Sequence, residues 1–313
     1  MHHLDPWPAL PYDGWRDTCA TLHLWSQIVG KIRLTKTPWL NHSWHVALYV
    51  DASGLTTSLI PDGGENFELR FDFVDQVLVC DVSNGQRGSI PLGPQSVASF
   101  KTATLRMLAD LGITVAISDL PSEIADATPF SLDHAPRAYD GEAARRFHQV
   151  LSVVDRVFKQ FRTGFLGKAS PVHFFWGSFD LAVTRFSGRR APPYQGTAPG
   201  IAPNVMQEAY SHEVSSAGFW PGGPGVDAAF YSYAYPEPPG FRDAPVAPEG
   251  AKYSEALREF VLPYEAVRTA SHPEEMLLTF LQSTYEAAVK TAHWDRTALE
   301  CAQGRAGICR PVP

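Results

Sequence analysis

Over residues 13–31 apolar side chains return every three or four positions, at Cys19, Leu22, Trp25, Ile28, Val29 and Ile32. That spacing predicts an amphipathic helix with Asp13 as its N-cap. Pro38 and the Asn41-His42-Ser43 turn end the period, and 44–50 and 55–60 read as a hairpin around Asp51-Ala52-Ser53-Gly54. Residues 67–73 alternate strictly, with Phe67, Leu69, Phe71 and Phe73 on one side and charge on the other. This is the signature of a half-buried strand. Its expected partner is 76–82, followed by a helix from Ser96 to Leu111 that Gly112 terminates, and a short strand at 113–117.

The pattern then repeats. Tyr12-Asp13-Gly14, the basic residues Lys31, Arg33 and Lys36, and the strand carrying His45 have counterparts in Tyr139-Asp140-Gly141, Arg162 and Lys168, and the strand carrying His173. A second helix runs from 139 to about Arg162 and strands follow at 172–179 and 180–186. Residues 230–235 match 67–73 in position and style, and a final helix, 273–293, is capped by Ser271. The expected architecture is α+β, two related helix–antiparallel sheet–helix units forming a pseudo-duplicated structure that packs as a pseudo-dimer. The units are 1–120 and 139–294, joined by a proline-bearing linker at 121–138 and trailed by a poorly ordered tail at 295–313. Within the second unit, 188–227 is a Pro/Gly-rich insertion carrying Tyr194, Tyr210, His212, Glu213, Phe219 and Trp220. A long loop of that composition reads as a lid or site wall.

Composition narrows the function classes. At 313 residues, 44% hydrophobic and 12% aromatic, the chain can bury a core without staples. A net charge of −7 argues against a nucleic-acid partner. No stretch is long and apolar enough to span a membrane, and 1–8 lacks the pattern of a secretory signal, so the expected location is the cytoplasm. Four cysteines are too few for a disulfide scaffold, and Cys301 and Cys309 lack zinc-knuckle spacing. No pattern specifies an oligomeric state.

Three segments carry a resemblance: the 7–12 run Trp-Pro-Ala-Leu-Pro-Tyr, the long 171–189 segment, and Tyr210-Ser211-His212-Glu213. On them the chain resembles an uncharacterised bacterial family known only as a domain of unknown function. The resemblance covers about Trp7 to Trp294 and implies no reaction, ligand or catalytic residue.

The candidate chemistry therefore rests on residue types. His173 shares a strand face with Phe175 and Gly177, which suits a ligand pocket, although a core histidine satisfied by one hydrogen bond fits the same pattern. His212-Glu213 supplies a base and a carboxylate on a framed loop, but lacks the second histidine of the zincin motif. His173, His212 and Glu213 are the catalytic candidates. With His45 they are also the ligand candidates for a divalent metal ion. Arg185 and Asp180, with Phe175, Trp176, Tyr210 and Trp220, are the substrate-binding candidates, though Asp180 and Arg185 also read as an ion pair closing a hairpin. Cys19 and His23, four apart on the first helix, read as core packing. Two functions follow. One is an enzyme acting on a small anionic or aromatic molecule through the His/Glu/Arg set. The other is a non-catalytic small-molecule-binding or protein-interaction module. Close approach of His173, His212 and Glu213 favours the first; separation beyond about 10 Å favours the second.

Overall fold

The computed structural model describes residues 5–310. The first unit runs α1 (Arg16–Lys36), β1 (Tyr49–Val50), β2 (Gly54–Thr56), β3 (Ile60–Asp62), β4 (Glu65–Asp72), β5 (Val77–Val82), β6 (Arg87–Pro91) and α2 (Val97–Asp110). The second runs α3 (Gly141–Arg162), β7 (His173–Phe175), β8 (Asp180–Arg190), α4 (Pro203–Ala209), β9 (His212–Trp220), β10 (Ala229–Tyr235), β11 (Lys252–Ser254), β12 (Glu259–Pro263), α5 (Tyr264–Arg268), α6 (Pro273–Thr291) and α7 (Arg296–Leu299). Among the described residues the strands form two six-stranded antiparallel sheets. The first has the order β1-β2-β4-β5-β6 with β3 also on β4, and the second β7-β8-β9-β10-β12-β11.

The first strands of the two sheets meet. Leu48 donates to the Phe174 carbonyl at 2.9 Å and Phe174 donates back to Leu48 at 2.7 Å. This reciprocal antiparallel pair joins the sheets, and each unit fans away from the seam. The α+β reading and the paired helix–sheet–helix units are both present. Counted from the seam, however, 65–72 is the third strand and 229–235 the fourth, so β9 occupies the place of β4.

One face of the joined sheet is apolar and lies under the helices. In the first sheet Phe67, Leu69 and Phe71 register with Val82, Cys80 and Leu78, and all six are buried. In the second, Leu181 pairs with Phe219, which pairs with Phe230. Helix α3 crosses under the seam, placing Phe147 against Trp15, Phe174 and Phe179. Trp25 of α1 stacks on Phe100 of α2 at 4.4 Å and on Tyr139 at 5.4 Å.

Local signals hold where a side chain reaches the backbone. Asp140 accepts from Glu142 and Ala143 and caps α3, and Ser96 accepts from Ser99 and caps α2. Asp13 does not cap α1: Tyr12–Gly14 form a separate 3₁₀ turn and the helix starts after Trp15. Ser271 lies one residue before the His272 cap of α6. Residues 113–117 carry no strand, because they pair with no neighbouring backbone ladder. The expected 172–179 strand stops at Phe175 and turns, with Phe179 in a left-handed conformation (φ 59°). The 188–227 insertion contains a central strand, β9, so only 191–211 lies over the sheet as a cover. The 295–310 segment packs back through a Phe165–Glu300 bridge and an Arg310 hydrogen bond to the Thr163 carbonyl. Residues 1–4 of the first unit and 311–313 of the tail lie outside the described residues.

Phe174 joins the seam and is fully buried against Phe147 and Phe179. Phe174→Ala is expected to cost about 3–5 kcal/mol through lost burial and the cavity left behind. Chemical denaturation should show a reduced midpoint; a change below about 1 kcal/mol would mean that the Phe174 ring does not hold the core beneath the seam.

Candidate functional site: a carboxylate and tyrosine face

The other face of the second sheet is polar and aromatic. Alternation places His173 and Phe175 of β7, Asp180, Ala182 and Thr184 of β8, Ser216, Gly218 and Trp220 of β9, and Tyr231, Tyr233 and Tyr235 of β10 on this side. The Thr184 and Ser216 hydroxyls meet at 2.9 Å. The Tyr231 hydroxyl donates to Asp180 across β9, and the Ser178 hydroxyl donates to the other Asp180 oxygen. Tyr231 can cross because residue 218 is glycine: a Cβ there would stand 2.2 Å from the tyrosine oxygen. The same holds at Gly177, where a Cβ would lie 2.1 Å from a carboxylate oxygen of Glu123.

The 191–211 segment covers this face. Tyr194 stacks on Tyr210 at 4.2 Å, both rings meet Tyr235 edge-on, and the Tyr210 and Tyr233 hydroxyls are 3.2 Å apart. The Glu123 amide holds the cover by donating to the Pro199 carbonyl at 2.7 Å.

Asp180 lies here without a cation, and Glu123 and Glu259 each approach it from a different element. Asp180 is buried, and desolvation raises its pKa against the lowering effect of its Ser178 and Tyr231 hydrogen bonds. Glu123 reaches solvent at the rim while its carboxylate abuts Gly177, and Glu259 enters from β12 half-buried. Desolvation, and then the charge of Asp180, pushes both Glu123 and Glu259 up to about 7. Among the described residues no Lys, Arg or His forms an ion pair with any of the three. Burial also holds Tyr231 and Tyr233 above the usual tyrosine range, so both stay neutral donors.

His173 stands on the same face, 1% exposed, 4.4 Å from the Phe175 ring, with neither ring nitrogen hydrogen-bonded. A buried polar group without a partner is rare and costs free energy. Burial pushes its pKa down to about 4, so it is a neutral imidazole.

Of the sequence candidates, His173, Phe175, Asp180, Tyr210 and Trp220 therefore share this face. Others lie elsewhere. Arg185 points to the helix side, with its guanidinium over Phe161 at 3.6 Å and Tyr285 at 4.3 Å, and donates to the Phe161 carbonyl. It is a core cation, lowered to about 10 by burial, and makes no ion pair with Asp180. Trp176 also faces the helices, packing on Gly30 and donating to the Val46 carbonyl at 2.8 Å. Glu213 binds Arg189 at 2.7 Å, and Arg189 donates on to the Ala292 carbonyl at the end of α6.

His212 lies six residues along β9 from Gly218, whose pairing partner Ala182 stands opposite His173. That places the two histidines roughly 20 Å apart along the strand. His212 instead faces His42, ring centroids 6.2 Å apart. The His42 Nε2 accepts from Lys168 Nζ at 2.7 Å and its Nδ1 donates to the Ala209 carbonyl at 3.1 Å. His45 precedes the seam strand, its Nδ1 against the Leu40 backbone and its ring tilted on Trp39. The four metal-ligand candidates are thus dispersed, and among the described residues no three His, Cys, Asp or Glu side chains converge as a metal site.

Glu123, Glu259, Tyr231 and Tyr233 had no place in the sequence-derived site. The alternation of 230–235 was visible, with Tyr231, Tyr233 and Tyr235 sharing one side, and a strand presenting only tyrosines on one face is a signal for a polar aromatic surface. Glu123 sits in an irregular segment and carries no such signal.

Comparison with characterised proteins and with solved structures finds no match. A family model does match, over residues 7–301 and so across both units, the seam and the covered face. The chain belongs to the family of unknown function DUF5996.

Proposed function

We propose that the protein binds a small organic cation on the covered face of the second sheet. The observation that carries this reading is buried Asp180, without a counter-cation beneath a wall of tyrosines, with Glu123 and Glu259 each within reach of its charge. Aromatic faces attract a cationic nitrogen, and a desolvated carboxylate supplies its charge partner. The unpartnered imidazole of His173 on the same face offers one further polar contact. This is the small-molecule-binding alternative, with the ligand's charge read from the site. The dispersal of His173, His212 and Glu213 removes the support for their acting as one catalytic set. Free thiols at Cys19, Cys80, Cys301 and Cys309 support a reducing cytoplasmic location. Among the described residues no helix is long and apolar enough to cross a membrane.

A panel of small quaternary and primary amines should raise the melting temperature, while carboxylates of matched size should not. Asp180→Asn should abolish the amine response. A response to the carboxylates alone would overturn the proposal and favour an anionic ligand. Gly218→Ala should weaken amine binding at least about tenfold, because the new methyl displaces Tyr231 from Asp180.

The carboxylates also set a pH dependence. Glu123 and Glu259 are raised from 4.5 to about 7, so the folded state holds protons that the unfolded chain has released. Their stabilising contribution is full below pH 4.5 and is lost as pH rises through about 7. His173 acts in the opposite sense: lowered from 6.5 to about 4, its contribution is full above 6.5 and lost as pH falls through about 4. The lowered histidines His23, His42 and His45 add to the His173 sense, so the carboxylate contribution is read by difference: the melting temperature of Glu259→Gln relative to the unmodified protein should rise between pH 5 and 8. A difference that stays level or falls over this range would contradict the assignment.

A further inference from the structure

A second polar group lies at the edge of this face, on α1. His23, Gln27 and Lys31 follow one another at four-residue spacing, so they form a single stripe. Each reaches the chain segments that frame the site. His23 Nε2 donates to the Gly177 carbonyl at 2.7 Å. Gln27 grips the backbone of Ser122 at both ends, accepting from its amide at 2.7 Å and donating to its carbonyl at 2.9 Å. Lys31 Nζ donates to the Ser122 hydroxyl at 2.9 Å.

Lys31 is 4% exposed, yet no carboxylate lies within ion-pair distance among the described residues. Its other neighbour is the Trp176 ring, 5.5 Å from Nζ to the centroid. A buried ammonium with no anion is costly, and burial lowers the Lys31 pKa accordingly. Ser122 is 4% exposed, and Gln27 fixes its backbone amide and carbonyl within an irregular segment. The next residue, Glu123, takes a left-handed conformation (φ 61°), unusual for a non-glycine residue. Adjacent side chains therefore diverge: Ser122 turns to Lys31 and Glu123 to Gly177, beside Asp180.

We propose that Ser122 and Lys31 form a nucleophile–base pair that transfers the acyl group of a small ester. A neutral lysine amine hydrogen-bonded to a serine hydroxyl is one of the arrangements that activate a serine. Neutral Lys31 takes the Ser122 hydroxyl proton as the bond from Oγ to the acyl carbon forms. The ester C–O bond breaks, and the Lys31 ammonium returns the proton to the departing alkoxide. Water then attacks the acyl carbon, Lys31 takes a proton from that water, and the serine oxygen recovers it as the acid leaves. Access runs beneath the 191–211 cover, where Glu123 donates to Pro199 and Gly200 lies so close to the Pro121 carbonyl that a Cβ would stand 2.9 Å from its oxygen. The same Cβ would stand 3.3 Å from the Ser122 Cα, so Gly200 lies over the serine and access requires that contact to part.

The test is covalent labelling of the full chain with a small fluorophosphonate, read by intact mass and peptide mapping. Here the Oγ–phosphorus bond forms, the P–F bond breaks and Lys31 takes the serine proton. One adduct is expected, on Ser122, and Ser122→Ala should abolish it. Lys31→Arg keeps the charge and a donor but cannot act as a base. It should slow labelling about a hundredfold. Lys31→Met should lose labelling equally while its melting temperature stays level or rises, an outcome that a structural clasp would not give. Labelling of the unmodified protein should accelerate as pH rises through the depressed lysine value. Absence of an adduct on Ser122, or labelling of Lys31→Arg at the unmodified rate, would overturn the proposal. Neither result depends on whether amines bind at Asp180.

Discussion

The backbone pair between Leu48 and Phe174 is the constraint on which the remaining structure depends. An unpaired strand edge exposes donors and acceptors that must find partners. Here each unit's first strand satisfies the edge of the other, so two sheets become one surface with a shared helical side. Helix α3 lies under the seam, and its Phe147 binds Trp15, Phe174 and Phe179 into one core. The turn after β7 follows directly from the seam, and that turn delivers Gly177, Ser178 and Asp180 to the outer face.

That outer face differs between the units for a reason visible in side-chain chemistry. In the first sheet it carries Glu68, Arg70 and Asp81, with Arg70 lying 3.7 Å from Asp81 across the strands. Surface pairs of this kind are weak and well solvated. In the second sheet the equivalent side carries tyrosines and carboxylates, and the 191–211 segment covers them. Desolvation without charge compensation then raises the acids, where in the first sheet the same acids would sit beside arginine. Duplication supplied the scaffold, and the cover over one copy supplied the chemistry.

Two glycines show how narrowly that arrangement is set. Gly218 lets the Tyr231 hydroxyl reach over β9 to Asp180, and Gly177 lets Glu123 approach the same carboxylate. Neither glycine is needed for a turn at its position. Each is a place where one side chain occupies the space that another residue's Cβ would fill.

The sequence alone determined the element types, the two-unit plan, the alternating strand at 67–73 and the helix cap at Ser96, because period and capping are local properties of the chain. It also placed Phe175, Asp180 and His173 on or beside one strand, since face alternation is local too. The same alternation separates Arg185 from Asp180, although the two residue types read together as a binding pair. Both belong to β8, but an odd number of residues apart, so they stand on opposite sides of the sheet, and which side binds helices depends on packing. The sequence could not bring Glu123 to Asp180 or Ser122 to Lys31, because those contacts join an irregular segment to distant elements with no periodic signal. Tertiary structure alone decided which polar groups lost their water. Desolvation depends on everything that surrounds a side chain, and the order of residues along the chain does not record it.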